Sequence, residues 1–364
     1  MILKRLSLNN FRTYRELNLE FKSRLIFFIG DNGEGKSNLL ESISILSFLK
    51  SFRGNSDDEI LSWGENTFYI GSKLFENEEE SRLEYGFEKN PIRRKKIKFN
   101  NNLIKKQSEA YGILPCVVLS PKDLDIVEGG SSERRKFIDG LISALDKNYL
   151  NTLLEYNRIL KQRNTSLKKQ ITSAESLGIW DKMLCEKDNY IRNARANFIK
   201  DMDILFRNNL NLLSGSKDDY GLFYKPNAKS TEDYEMRMRD NFQKDLRVGY
   251  TTVGCHRDEI TIGGEDKDVL SFGSQGQRRS VVISLKTASF ELLRRKIGID
   301  PILLIDDVIR ELDTRRREFF VDLIRGCGQA FFTTTDLEGI HDYIGNLDEP
   351  RQIFQVTKGS VTEL

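Results

Sequence analysis

The chain is short of histidine and cysteine. Two histidines among 364 residues cannot build a multi-histidine metal centre. The four cysteines, Cys116, Cys185, Cys255 and Cys327, lie far apart with no Cys-x-x-Cys spacing. That argues against a structural metal site or a disulfide framework, and makes a reducing, cytoplasmic compartment the expectation. No run approaches the roughly 18 apolar residues of a membrane span. The opening Met1-Ile2-Leu3-Lys4-Arg5 leads into no apolar stretch with a small-residue cleavage site, so neither a membrane partner nor a secretory leader is expected. The net charge is only +2. Bulk electrostatics therefore point to no nucleic acid, and any such partner needs a local Lys and Arg patch.

What is present suits a protein of two or three domains, with 38% hydrophobic and 31% charged residues. Residues 2–8 read as a strand, and Leu25-Ile26-Phe27-Phe28-Ile29 as a buried central strand. A glycine-rich loop follows, then a helix with Leu39, Ile43 and Leu46 on one face. Residues 67–75 and 82–88 read as strands joined by the acidic turn Glu76 to Glu80. Residues 96–104 read as a hairpin around Asn100-Asn101-Asn102, and Val117 to Leu119 as a short strand.

From about 133 to 213 the period becomes helical. One apolar stripe runs through Leu150, Leu153, Leu154, Asn157 and Leu160, another through Ile191, Ala194, Phe198, Met202 and Leu205. This predicts an antiparallel helical arm. Residues 214–247 are polar and irregular. Beyond 250, a second glycine-containing loop at Ser271 to Arg279 leads into a helix carrying Val281, Leu285, Ala288 and Leu292. Ile302 to Ile305 and Ala330 to Phe332 read as further buried strands. The arm is then an insertion, and the two ends of the chain are expected to build one sheet. The reading is an α/β fold: a head built of a mixed sheet at 1–120 and 249–364, with an inserted arm at 121–248.

Gly30-Asp31-Asn32-Gly33-Glu34-Gly35-Lys36-Ser37 satisfies G-x-x-x-x-G-K-[ST] between an apolar strand and a helix. The glycines let backbone N–H groups curl toward phosphate oxygens. The helix start adds its positive end. Lys36 would reach the β- and γ-phosphates, and the Ser37 hydroxyl would ligate Mg²⁺. The cofactors expected are thus ATP and Mg²⁺. Ile302-Leu303-Leu304-Ile305-Asp306-Asp307 has the Walker B form. Asp306 emerges at a strand's C-terminal end to hold Mg²⁺, and Asp307 orients or deprotonates the attacking water. Alone, such a pair also fits a strand end followed by a helix cap. Ser274-Gln275-Gly276-Gln277 resembles the ABC signature with Gln for one Gly, and alone also fits an ordinary N-cap.

The order of Walker A, helical insertion, signature, Walker B and Leu312-Asp313 is that of ABC-type ATPase heads. Within them the chain resembles the RecF family over nearly its whole length. The segments that carry this are LSLNNFRTY (Leu6–Tyr14), SFRG (Ser51–Gly54), LSPKDLDIVEGGSSERRKFID (Leu119–Asp139), YNRILKQRN (Tyr156–Asn164), VGCHRDE (Val253–Glu259), SQGQRRSVVISLKTA and PILLIDDVIRELDTRRR. Departures from the family pattern are Cys255 for Pro, Lys122 for an acidic residue, and Arg310 for a small Ser. Asp307 stands where transporters have Glu. Thr333-Thr334-Thr335 replaces their switch His, and His341 lies too far on to fill that role. Ser120-Pro121 occupies the region of a Q-loop Gln.

The resemblance implies a weak, DNA-stimulated ATPase that dimerises on ATP. It implies action with RecO and RecR at single-stranded and gapped DNA, help in loading RecA, and a part in the SOS response. It adds Arg12 and Asn38 to the nucleotide-binding set, and aims Ser274 to Gln277 of one copy at the triphosphate of the other. Candidate DNA contacts are Arg93, Arg94, Lys95, Lys96 and Lys98, and on the arm Lys161, Arg163, Lys168 and Lys169; each run equally fits a solvated charged face. Three alternatives share some motifs. A transporter ATPase subunit would carry the switch His and lack SFRG and HRD. An SMC-type head needs a long heptad coil. A P-loop kinase needs an acceptor pocket and no signature.

Overall fold

The computed structural model describes residues 1–169, 174–215, 220–264, 269–308, 313–336, 338 and 349–364. Arg310, Leu312 and His341, singled out above, lie outside the described residues. The chain opens with strands β1 (Ile2–Phe11), β2 (Tyr14–Glu20) and β3 (Leu25–Ile29), then helices α1 (Lys36–Phe48) and α2 (Asp57–Ile60). Strands β4 (Thr67–Glu76), β5 (Glu79–Glu88), β6 (Arg94–Phe99) and β7 (Asn102–Ile104), helix α3 (Gln107–Ala110) and strand β8 (Cys116–Leu119) follow. Next come α4 (Asp125–Glu128), α5 (Ser131–Leu145), α6 (Lys147–Lys169), α7 (Ala174–Ser214), β9 (Gly221–Lys225), α8 (Thr231–Asp240), α9 (Phe242–Val248) and β10 (Glu259–Gly263). The remainder is α10 (Val269–Phe272), α11 (Gln275–Ile297), β11 (Ile302–Asp306), α12 (Thr314–Arg325), β12 (Ala330–Thr334), β13 (Arg351–Thr357) and β14 (Ser360–Glu363). Two compact units result, Met1–Asp123 with Ile283–Leu364, and Leu124–Val282, the second boundary falling within α11.

In the first unit, one six-stranded sheet has the order β14-β13-β3-β12-β11-β8, with all neighbours parallel except β14. Parallel strands are covered on both faces, which is why β3 (LIFFI) and β11 (ILLID) are unbroken apolar runs with every residue buried. Phe27 stacks on Phe332 at 4.6 Å, and Phe28 on Phe354 at 5.7 Å, binding the central strands across the sheet. Helix α1 packs against β11 and β12 and is buried nearly all round, with Leu40, Ser42, Ser44 and Ile45 inside as well as the expected Leu39, Ile43 and Leu46. Small serines let it sit close.

The second sheet of this unit is antiparallel, in the order β2-β1-β4-β5-β6-β7. The two ends of the chain do meet in one sheet, but β1 does not join it. Its burial alternates, as one-sided antiparallel strands require, whereas the central strands β3 and β11 of the two-sided sheet are continuous apolar runs. Leu6, Leu8, Ile70, Leu83 and Tyr85 form the buried face. The acidic turn between β4 and β5 shrinks to Asn77-Glu78, both at positive φ, and Asn100-Asn101 makes the next turn in the same way.

The second unit is built on α5, α6 and α7. The pairs Glu155–Lys187 and Arg163–Asp181 descend α7 as they climb α6, so the two helices run antiparallel, and Asp139–Arg195 ties α5 to α7. The buried side of α6 is turned from that expected: Tyr149, Leu150, Tyr156, Ile159, Arg163 and Leu167 face inward, while Leu154 and Asn157 are exposed. The stripe on α7 stands, with Ile191, Phe198, Met202 and Leu205 buried. Residues 214–247 are not irregular where described. They hold β9, paired with β10, and helices α8 and α9. Ser230 caps α8 by accepting from Asp233 N–H, but only Tyr234 and Met238 are buried on that helix, an apolar stripe too thin to read among its charges.

Candidate nucleotide site

The loop at the C-terminal end of β3 owes its path to two glycines. Gly30 has φ 152°, and a Cβ there would lie 2.3 Å from the Val356 carbonyl oxygen on β13. Gly35 has φ 110°, and a Cβ would meet the Thr13 hydroxyl at 2.9 Å and the Tyr14 hydroxyl at 3.0 Å. Only glycine passes either point. Tyr14 donates to the Gly35 carbonyl, and the Glu34 carboxylate accepts from the Lys358 N–H, so the β1–β2 and β13–β14 turns clamp the loop from both sides. Lys36 is buried, and its ammonium donates to the carbonyls of Gly30 at 2.7 Å and Asp31 at 2.9 Å. Asp31, Asn32 and Gly33 are exposed; Glu34, Gly35, Ser37 and Asn38 are half-buried. The first turn of α1 holds no acidic side chain to offset its positive end.

Behind the loop, the sequence reading missed Glu41. It is fully buried on α1 and accepts from Arg12 through Nε at 2.9 Å and Nη2 at 2.8 Å, and from Ser51. Arg12 also donates to the Glu59 carbonyl at 2.8 Å. Arg53 donates to Asn38 at 3.1 Å and comes within 4.0 Å of Glu41. The SFRG segment is thereby tied to α1, and Lys122 holds its other side by donating to the Arg53 carbonyl at 2.6 Å. A charged residue among the apolar positions of α1 was the signal that could have found Glu41.

Asp306 ends β11, one strand away from β3, with β12 between them. It is buried, and its Oδ1 accepts from Thr333 on β12 at 2.9 Å. The Thr333 hydroxyl in turn accepts from the Asp307 N–H at 3.1 Å. Asp307 sits at φ 49°, in the left-handed region. A single hydroxyl thus bonds the Asp306 carboxylate and the Asp307 backbone where a switch His was looked for. Ser37 and Asp306 are hard oxygen donors, a set that fits Mg²⁺ when phosphates and water complete its shell. Among the described residues no cluster of three or more His, Cys, Asp or Glu could hold a metal by itself.

In the second unit, Ser274 is exposed at the start of α11. Its hydroxyl accepts from the Gln277 N–H at 3.2 Å, and the Gln277 side chain accepts from the Ser274 N–H at 2.8 Å, a reciprocal cap. Gln275 is exposed and Gly276 half-buried beside it. The HRD segment serves the core of this unit. Arg195, 2% exposed, donates twice to Asp139 at 2.8 and 2.9 Å and once to Asp258 at 2.8 Å. Cys255 donates its N–H to Asp188, a bond that the family's Pro could not make. Burial holds His256 down to about 4, so the imidazole is neutral between the Tyr156 hydroxyl at 2.7 Å and the Thr251 carbonyl at 3.0 Å.

The candidate DNA contacts fare unevenly. Arg163 is fully buried, held by Asp181 at 2.6 Å and Asp245 at 2.8 Å, and cannot meet a phosphate backbone. Lys161, Lys168 and Lys169 are exposed. Arg93 pairs with Asp58 at 2.5 Å and Lys95 with Asp57 at 2.6 Å, whereas Arg94, Lys96 and Lys98 share the opposite side of β6 and are exposed.

A P-loop strand parted by one parallel strand from an acid-tipped strand, with the signature segment before the latter in sequence, defines an ATPase head of the SMC/ABC class. Residues 2–361 match the family described as RecF/RecN/SMC N terminal domain. An Smc head domain from Pyrococcus furiosus shares the fold, with TM-score 0.55 at 15% identity, covering 100% of this chain and 96% of that one. Similarity is much greater to the DNA replication and repair protein RecF of Leptospira interrogans serogroup Icterohaemorrhagiae serovar Lai (strain 56601), 50% identical over 364 residues and covering 100% of both chains. A solved structure of the recombination mediator protein RecF-ATP in the RecFOR pathway superposes with TM-score 0.90 at 32% identity, covering 100% of this chain and 97% of that one. The chain belongs to the RecF family of DNA replication and repair proteins.

Proposed function

We propose that this chain is an ATP-driven clamp of recombinational repair, with ATP held by the Gly30 to Asn38 segment. The observation that carries this is the glycine-shaped loop around the buried Lys36, with Asp306 and Asp307 set by Thr333 one strand away. Lys36 neutralises the β- and γ-phosphates; Ser37 and Asp306 hold Mg²⁺, which supplies charge neutralisation on the phosphates. Asp307 orients the attacking water. Its carboxylate is one methylene shorter than glutamate, which fits slow hydrolysis. Arg12, fixed by Glu41, presents a pre-set guanidinium beside the loop.

The Ser274 to Gln277 helix start of a second copy closes over the γ-phosphate, exposing a hydroxyl and a positive helix end to it. ATP then acts as the adhesive of a homodimer, and loss of the γ-phosphate releases it. The partners are single-stranded and gapped DNA, RecR and RecO, with loading of RecA, replication-gap processing and SOS induction as the outcome. Residues 1–120 and 249–364 serve as the head and 121–248 as the arm, in the cytoplasm. No described helix is long and apolar enough to cross a membrane.

Sizing chromatography of Asp307→Asn with ATP is the test: a trapped dimer is expected, and a persistent monomer overturns the sandwich. A gel shift with gapped DNA, dependent on ATP, is expected in parallel.

A further inference from the structure

The antiparallel sheet of the first unit buries one face and leaves the other open. Cross-strand register fixes what lies on the open face. One row reads Asn9, Tyr69, Gly86, Lys96, and the next Ser7, Gly71, Glu84, Lys98. At Gly71 a Cβ would fall 2.5 Å from the Tyr69 hydroxyl and 2.9 Å from two of its ring carbons. The ring therefore lies down along the sheet, over a position that only glycine leaves clear. The Tyr69 hydroxyl donates to Glu84 at 2.5 Å, which fixes the ring's direction and occupies the nearest carboxylate. Tyr69 is still 37% exposed.

Beside the ring, Gly86 bares the backbone. A Cβ there would meet nothing nearer than the Lys96 carbonyl at 3.8 Å. This makes a slot one strand wide, with Tyr69 and Lys96 on strands about 10 Å apart as its walls. Beyond it, Lys96 and Lys98 are exposed and form no ion pair among the described residues. Glu88 faces Arg94, and Glu84, bonded to Tyr69, faces Lys98 across the strands, so the surplus positive charge on this face centres on Lys96. A flat aromatic ring, a bare slot and unpaired cations along one edge are what a nucleobase and its phosphate require.

We propose that this open sheet face, with Tyr69 laid over Gly71 and Lys96 and Lys98 beyond Gly86, is a base-stacking subsite for single-stranded nucleic acid. The assignment rests on the reading of DNA as partner and adds where and how a strand is held. Stacking is indifferent to base identity, so the site confers strand preference and no sequence preference.

The test uses the full chain with ATP, and fluorescence anisotropy with labelled oligothymidylate, an abasic strand of equal length and a duplex. Tyr69→Ala is expected to lose roughly tenfold in affinity for oligothymidylate and less than about twofold for duplex. Tyr69→Phe keeps the ring and stays within about twofold of the parent. Gly86→Thr, at a position with room for a side chain, fills the slot and matches Tyr69→Ala even if the latter folds poorly. On the abasic strand the parent and Tyr69→Ala bind alike, while Lys96→Gln with Lys98→Gln weakens both strands. Equal binding of oligothymidylate by the parent and both the Tyr69→Ala and Gly86→Thr variants overturns the subsite, as does an equal loss on the abasic strand. A parent chain that binds none of the three probes instead removes the DNA reading itself, and the subsite with it.

Discussion

The two units bury polar groups for opposite ends. In the first, Lys36 and Asp306 are buried close to where a triphosphate would lie, held by single bonds to loop carbonyls and to Thr333. In the second, Arg163, Arg192 and Arg195 are buried and paired with Asp181, Asp188, Asp139, Asp245 and Asp258. Family-like motifs run through both. Those of the first unit shape a site, whereas YNRILKQRN, RRKFID and HRD knit the core of the arm. A motif rich in charge is therefore as able to specify packing as to specify a ligand, and burial tells the two apart.

The contrast breaks most visibly at Arg195. Replacing it with Ala strands Asp139 and Asp258, and should destabilise the arm unit by roughly 3–5 kcal/mol in denaturant melts while ATP affinity stays near that of the parent. Loss of ATP affinity in the still-folded variant would erase the distinction. His256 offers a pH handle of about 3 kcal/mol. Its folded pKa of about 4 lies below the unfolded value of about 6.5, so the stability it contributes is present above pH 6.5 and lost toward pH 4. Burial lifts Asp188 to about 6, outweighing Arg192, and works in the opposite sense over the same window. The advantage of the parent over His256→Asn should thus shrink by about 3 kcal/mol from pH 7 to pH 4; a constant gap rejects the neutral imidazole.

In the first unit, Lys36→Arg should weaken ATP binding on the order of 100-fold by titration with a fluorescent nucleotide, with the melting temperature little changed. A variant that unfolds instead would make Lys36 a packing residue like those of the arm. The smallest effect is expected at Thr333→Val. It removes one hydroxyl bonded to Asp306 and Asp307, costing about 1–2 kcal/mol in stability, with hydrolysis slowed more than ATP binding.

Legibility followed distance along the chain. The glycine-shaped loop between β3 and α1 was readable because its pattern lies in eight consecutive residues. Asp306 and Asp307 were readable as a strand end, but the hydroxyl that sets them comes from the neighbouring parallel strand, 27 residues from Asp306. Glu41 takes its ligands from Arg12 and Ser51, which meet it only in the fold. Arg163 looked like one charge in a solvated run because Asp245, its neutralising partner, lies 82 residues on. The β13–β14 hairpin drew no notice, since its alternating burial on one strand resembles any polar edge. Local motifs announce themselves, while pairings across the sheet or the helix pair do not.

Gly30 passes against the backbone of Val356, and Glu34 takes the Lys358 N–H. Strand β3 itself lies between β12 and β13. During translation the phosphate loop emerges early, but its walls are made more than three hundred residues later, after the entire arm unit. A nascent chain stalled between Asn38 and Arg351 would carry the complete loop sequence without the β13–β14 wall. The loop is therefore enclosed on its second side only after β13 and β14 have been made.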